Sequence, residues 1–377
     1  MQNDTPKSKI GHRPTWAEVD LSAFDFNYRQ TKKIINKKTK VMAVVKCDAY
    51  GHGLLPVAKR LVRLGADYLG VASIDEAIIL RKNKITLPIL ILGNILNKDI
   101  EAVLKYNLTQ TISGYQLALK LNQKARRIGK IIGVHIKVDT GMGRLGILYR
   151  EAFRFIQKVN QLSNLKTEGL FTHFPCADCD PEFTHYQIDI LRQLINELEK
   201  SGIKIPLCHA ANSMGIISYP QSHFDLVRPG LMLYGIYPRP GLNIKLKPVM
   251  SLKTRIIYLK RMPPGQGISY GRNYITKKET NVVILPIGYG DGYPRNLSNR
   301  ADVLIKGRRF MISGAVCMDQ IMVDVGDLGV KVGEEAVLIG SQGKNCIRTE
   351  ELAQLSETIP YEIVCGIGSR VPRIYLQ

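Results

Sequence analysis

The sequence predicts a (β/α)₈ barrel followed by a second, strand-rich domain. Three observations predict it. Eight short apolar, β-branched runs recur between about residues 41 and 230; helix-patterned segments separate them; and after about residue 245 the pattern changes to strand-like runs broken by Gly, Pro and Asn. The eight runs are 41–45, 68–72, 89–92, 108–112, 132–138, 168–172, 205–208 and 224–227. Strand then helix, eight times over, is the count of a closed barrel. Between the runs, 183–200 places Leu191, Leu194, Ile195 and Leu198 on one face at helical spacing. The later runs, 249–260, 281–287, 302–312 and 334–340, predict a C-terminal β domain. The proline-rich stretch Tyr237-Pro238-Arg239-Pro240-Gly241 suits the connector, which puts the barrel at 21–240 and the β domain at 241–377.

Length and composition bound the function. A chain of 377 residues with 45% hydrophobic residues buries a sizeable core without staples. Its 53 Lys+Arg against 32 Asp+Glu give a net charge of +21, which attracts nucleic acid, anionic membranes or acidic substrates without specifying any of them. No zinc-finger spacing, aromatic RNA-binding motif or long basic block accompanies that charge, so a solvated lysine-rich surface is the simpler reading. Seven scattered cysteines do not make a disulfide framework, and they fit a reducing cytosol. Cys176-x-x-Cys179 would need Cys208-His209 to complete a zinc site, and no metal is expected. Met1 to Arg13 lack an apolar signal core, and no run approaches the roughly 18 apolar residues of a membrane span. Export and membrane insertion are not expected.

In a barrel of this type, functional groups sit at the C-terminal ends of the strands. There the sequence offers Lys46, Asp48 and Tyr50 after the first run, Lys137, Asp139 and Arg144 after the fifth, and His173 after the sixth. His209, Asn212 and Ser213 follow the seventh, and Arg228 with Gly230 the eighth. A lone lysine after an apolar strand is more often a solvated cation. Lys46 differs because Cys47-Asp48-Ala49-Tyr50-Gly51-His52-Gly53 behind it reads as a tight loop approaching a ligand. Burial disfavours a charged amine, and a neutral amine attacks a carbonyl. Barrels commonly bind phosphate after strands seven and eight, which here read Asn212-Ser213 and Arg228-Pro229-Gly230-Leu231. A lysine facing a phosphate site points to an aldehyde cofactor with a phosphate handle, pyridoxal 5′-phosphate.

At these residues the sequence resembles the alanine racemases, nearly end to end. The resemblance is carried by Ala43-Val44-Val45-Lys46-Cys47-Asp48-Ala49-Tyr50-Gly51-His52-Gly53 and by Lys137-Val138-Asp139-Thr140-Gly141-Met142-Gly143-Arg144. It continues through Arg228-Pro229-Gly230, Ile268-Ser269-Tyr270-Gly271, Gly288-Tyr289-Gly290-Asp291-Gly292 and Cys317-Met318-Asp319-Gln320, with Thr15-Trp16-Ala17-Glu18-Val19-Asp20 at the start. The resemblance implies that residues 1–20 join the β domain before the chain enters the barrel. It implies a cytoplasmic homodimer whose sites combine one subunit's barrel with the other's β domain, supplying D-alanine for peptidoglycan. Lys46 would hold the cofactor as an internal aldimine, with Lys46 and Tyr270 as the two opposed acid/base groups that racemisation requires. Arg228 would face the pyridine nitrogen; Tyr50, Ser213, Gly230 and Leu231 the phosphate; His173 the ring. Arg144 would lie near the phenolic oxygen, and the Met318 N–H would meet the substrate carboxylate. Lys137 matches a lysine often carbamylated in the family, and Asp178, Tyr289 and Arg295 match residues of the entrance. Ser369 stands where many relatives carry a tyrosine and Ala315 where some carry an arginine, and Pro175 and Cys176 also differ, which leaves substrate breadth beyond alanine open. A broader amino-acid racemase and a fold-type III amino-acid decarboxylase are the alternatives.

Overall fold

The computed structural model describes residues 12–377; the start of the expected N-terminal segment, residues 1–11, lies outside the described residues. Eight strands form a parallel sheet in the expected order: Lys40–Val44, Tyr68–Val71, Ile89–Ile91, Thr109–Ile112, Ile132–Asp139, Leu165–Phe171, Leu207–His209 and Leu226–Val227. The last strand pairs back on the first, Leu226 opposite Lys40. Closure at the remaining seam is made by Asp225 N donating to Cys208 O at 3.0 Å and Arg228 N to Ala211 O at 3.0 Å. All eight predicted runs overlap an observed strand. The seventh starts later than expected and extends to His209, so this histidine ends a strand and does not begin a loop.

Helices cover the outside. The longest, Pro181–Lys200, begins where Asp180 accepts from Phe183 N at 3.0 Å and Pro181 fills the first turn. It buries Ile188, Leu191, Leu194 and Leu198 against the strands. Inside the ring, Met42, Tyr68, Leu90, Leu207 and Leu226 form a small apolar cluster separate from the main core. This plug makes the barrel solid and leaves its mouth as the place where polar groups can gather.

The β domain is built on a six-strand path that adds Thr15–Asp20 to strands from residues 250 to 376. Thr15–Asp20 pairs antiparallel with Met250–Arg255 and parallel with Arg373–Leu376, so the described beginning and the end of the chain lie in one sheet. A three-stranded sheet of Tyr258–Met262, Thr280–Leu285 and Ile321–Gly326 packs beside it. This domain also carries two short helices, Thr349–Leu355 and Pro360–Gly366. The second of them presses on the loop after Lys46.

That contact depends on two glycines. A Cβ on Gly51 would come 2.2 Å from Val364 O, and one on Gly53 would come 1.9 Å from the Tyr375 hydroxyl; both residues have positive φ. Gly129 has positive φ too, but open space around it. We predict that Gly129→Ala costs about 1 kcal/mol of stability, the backbone strain alone. Gly53→Ala should cost about 3 kcal/mol or more, because the strand carrying Tyr375 must also move. Urea unfolding of the two variants checks this, and equal losses would show that the domains do not close on the loop.

Candidate active site

Lys46 stands at the end of the first barrel strand, and the backbone after it turns the wrong way round. Cys47, Asp48, Ala49 and Tyr50 all have φ between 51° and 55°, one turn of left-handed helix, closed by Ala49 N to Val45 O and Gly51 N to Cys47 O, each at 2.9 Å. For L-residues this costs about 1–2 kcal/mol per residue, so the surroundings must impose it. The Glu76 carboxylate accepts from Cys47 N at 2.5 Å, and Asp48 accepts from Leu54 N at 2.7 Å. His52 Nδ1 lies 2.8 Å from Tyr50 O and 3.1 Å from Ala49 O, so that nitrogen carries the proton. Arg373 Nε donates to Gly51 O at 2.9 Å from the β domain. The turn swings Tyr50 inward beside the eighth strand.

The opposite wall holds Arg228, which is buried. Its Nη1 donates to His209 Nδ1 at 2.7 Å, and its Nη2 donates to Thr172 O and Ala210 O at 2.8 Å. His173 Nδ1 lies 3.4 Å from the same Nη2. Burial pushes Arg228 down to about 9, which leaves it protonated at neutral pH. Its Nε–H donates to no protein group among the described residues, although the side chain lines the cavity. His173 and His209 are pushed well below the ordinary imidazole value by burial and then by Arg228, so both are neutral.

At the other end, Ser213 Oγ accepts from Gly230 N at 3.0 Å and Met232 N at 3.3 Å. A Cβ on Gly230 would lie 2.6 Å from the Tyr50 hydroxyl, so glycine is needed for the two to meet. Leu231, directly after it, is buried. Burial, followed by the nearby Tyr361, pushes the Tyr50 phenol up and keeps it neutral.

Lys137 is only 4% exposed and stands over the Phe171 ring, 5.4 Å from its centroid. Burial, then Arg144 and Arg228, push it down from 10.5 to about 8. Arg144 reaches the mouth on a loop folded around Asp139, which accepts from Gly141 N at 2.9 Å and Met142 N at 2.8 Å.

Lys46, Tyr50, Lys137, Arg144, His173, Ser213, Arg228 and Gly230 thus border one cavity of about 130 Å³, with Asn212, Phe171 and Tyr361. A larger void of about 230 Å³ at the domain junction contains neither Lys46 nor Arg228. Tyr270 and Met318 are not brought to the cavity. They line a separate open hollow with Ser269, Cys317, Asp319 and Gln320. There Tyr270 is 73% exposed, raised on Ser269 at φ 65°, ψ −176°, a conformation nearly confined to glycine. Ser269 Oγ donates to Ala315 O at 2.6 Å, so Ala315 is buried under this turn. Tyr289 is half-exposed beside the same hollow, its N–H donating to Cys317 O at 3.0 Å, while Asp178, Arg295 and Ser369 are exposed.

The description "Alanine racemase, N-terminal domain" matches residues 19–238, and "Alanine racemase, C-terminal domain" matches residues 249–375. The chain belongs to the alanine racemase family. It is 51% identical to the alanine racemase of Halothermothrix orenii over 367 residues, covering 96% of this chain and 97% of that protein. The alanine racemase structure of Clostridium difficile 630 superposes with a TM-score of 0.91 at 39% identity, over 96% of each chain. That of Bacillus anthracis, solved with bound L-Ala-P, gives 0.90 at 36% identity, over 97% of this chain and 96% of that one. Amino-acid racemisation is the family's chemistry and this chain's.

Family membership clarifies what sequence reasoning missed. Phe171 stacks on His209 at 4.7 Å and 4° and carries both Lys137 and Arg228 on its faces; its place at the last position of a barrel strand was the available signal. Tyr361, 5.8 Å from the Tyr50 ring, comes from a helix of the other domain, and nothing local in the sequence announced it. The zinc reading of Cys208-His209 meets a histidine with both nitrogens engaged, one by Arg228 and one by His135.

Lys137 gives a pH test. Its proton is released at lower pH in the folded chain than in the unfolded one, so between about pH 8 and 10.5 the unfolded chain binds more protons and folding stability rises with pH. We expect Lys137→Met to lack that rise, measured as urea midpoints at about pH 7.5 and about pH 10. Parallel pH dependence in both proteins would contradict the assignment.

Proposed function

We propose that this racemase interconverts L- and D-alanine at the barrel mouth with pyridoxal 5′-phosphate as cofactor, in the cytoplasm, supplying D-alanine for peptidoglycan. The observation that carries the reading is the convergence on one cavity of Lys46, the buried Arg228 with an uncommitted N–H, and the cradle of Tyr50, Ser213 and Gly230. These donors fit the group: an amine for its aldehyde, a guanidinium for its ring nitrogen, and hydroxyl and backbone N–H groups for its phosphate. When bound, such a cofactor makes the α-hydrogen of an attached amino acid acidic.

The chain's own residues do the rest. Inversion requires a proton taken from one face of the α-carbon and one delivered to the other, and the Lys46 amine is the carrier on the barrel side. The carrier on the other face is the partner subunit's Tyr270, because within one protomer Tyr270 opens on a separate hollow. Arg228 holds its proton where a carboxylic acid would surrender it, so it would donate a hydrogen bond to the ring nitrogen without protonating it. Arg144 would receive the substrate carboxylate together with the N–H of Met318 of the partner subunit, because within one protomer Met318 lines the same separate hollow as Tyr270. Tyr50, Ser213, Gly230 and the Leu231 N–H would hold the phosphate. His173 would lie along the ring, and Asp178, Tyr289 and Arg295 would border the entrance.

Subunit mixing tests the assignment. Lys46→Ala and Tyr270→Phe homodimers should each fail to form D-alanine from L-alanine, Lys46→Ala also losing borohydride labelling at that position. Mixed protomers contain one site with both residues intact, so random pairing should restore about a quarter of wild-type turnover. No recovery on mixing would refute a shared site, and full activity of either single variant would refute the roles given to that residue.

A further inference from the structure

We propose that His135 is a positioning residue for Arg228: acting through His209, it fixes which imidazole nitrogen faces the guanidinium and so holds the arginine in one orientation below the cofactor site. The inference rests on the reading of Arg228 as the partner of the cofactor's ring nitrogen.

The geometry begins with a missing side chain. His135 lies in Ile132–Asp139 and His209 ends Leu207–His209, with Leu165–Phe171 between them in the barrel. A Cβ on Gly169 of that middle strand would come 2.2 Å from His135 Nδ1, so only glycine there lets the ring cross to its neighbour. His135 Nδ1 then stands 2.9 Å from His209 Nε2, and His209 Nδ1 stands 2.7 Å from Arg228 Nη1. Both rings are fully buried.

Proton positions follow by elimination. A guanidinium only donates. His209 Nδ1 must therefore accept, and because burial and Arg228 keep the ring neutral, its single proton sits on Nε2. The nearest acceptor for that proton is His135 Nδ1, 2.9 Å away; His135, held neutral by burial and then by Arg228 at about 3, therefore carries its own proton on Nε2, a buried atom with no partner among the described residues. Reversing His209 would set two N–H groups face to face, and Arg228 would lose its only side-chain acceptor within 3 Å among the described residues. No carboxylate forms an ion pair with Arg228 among the described residues, so the two carbonyls and this histidine pair are what orient it. Of the chain's buried histidines, His52 and His223 bond backbone carbonyls and leave this relay untouched.

Two variants separate positioning from bulk. The side-chain amide oxygen that His135→Asn introduces can occupy the place of the imidazole Nδ1 and accept from His209, whereas a leucine side chain cannot. His135→Leu should weaken pyridoxal phosphate binding to the apoprotein and lower kcat, each roughly tenfold, with KM for alanine little changed, and His135→Asn should recover most of both. ¹⁵N-histidine NMR of the cofactor-loaded protein reads the tautomer without reference to activity: wild type and His135→Asn should show His209 protonated on Nε2 alone, and His135→Leu should lose that pattern. Equal impairment of the two variants would overturn the proposal, as would wild-type His209 protonated on Nδ1, a result available even if the leucine variant failed to fold. A wild-type protein that shows the tautomer and forms no D-alanine would instead count against the function proposed above.

Discussion

The rest of the site depends on the left-handed turn from Cys47 to Tyr50. Four consecutive non-glycine residues in that conformation cost roughly 4–8 kcal/mol, a sizeable share of what holds a folded domain together. The turn persists because both domains hold it. Glu76 and Asp48 bond it from the barrel side; Arg373, Val364 and Tyr375 close on it from the β domain. This explains a topological oddity. The chain starts one strand of the β sheet before entering the barrel, and it ends with Arg373–Leu376 parallel to that same strand. The amine at position 46 is thus positioned by residues more than 300 apart in sequence, and a right-handed turn in the same place would carry Tyr50 away from Gly230.

Charge explains what the mouth accepts. The cavity lining contains Lys46, Lys137, Arg144 and Arg228 and no carboxylate. Burial first, and then repulsion from Arg144 and Arg228, lower the proton affinity of Lys137 in this small space. An anionic ligand relieves that repulsion, which is why a phosphate at one end and an amino-acid carboxylate at the other suit the site. Phe171 makes the crowding tolerable by offering its faces to Lys137 and Arg228.

Much of this was legible in the sequence, for identifiable reasons. Buried parallel strands read as apolar runs because both faces are covered, so even the two-residue strand Leu226–Val227 lay inside a predicted run. The rule that function gathers at strand C-termini then selected Lys46, Lys137, His173, Ser213 and Arg228 before any geometry. What was not legible depends on distant contacts. Glycines at 51 and 53 hinted at a tight loop, but nothing local tells a left-handed turn from a right-handed one when Cys, Asp and Ala occupy it. The sheet membership of Thr15–Asp20 was supplied by family resemblance, since pairing across some 230 residues leaves no periodic trace. Tyr361 sits in a short helix whose pattern says only that one face is buried.

The separation of Tyr270 from Lys46 bears on assembly. Ser269 holds a conformation that costs of order 1–3 kcal/mol in a non-glycine residue, and the bond from its hydroxyl to Ala315 O fixes it there. The strain raises Tyr270 into solvent beside the exposed Met318 and half-exposed Tyr289. A fold does not ordinarily maintain strain in order to expose apolar groups to water. It does so where another surface covers them, and the barrel mouth, which Lys46 lines and Tyr270 of the same protomer does not, is the complementary surface the proposed two-copy site requires. In the proposed site the barrel would offer one face of a bound amino acid, and a group arriving from outside the strand ends would reach the other.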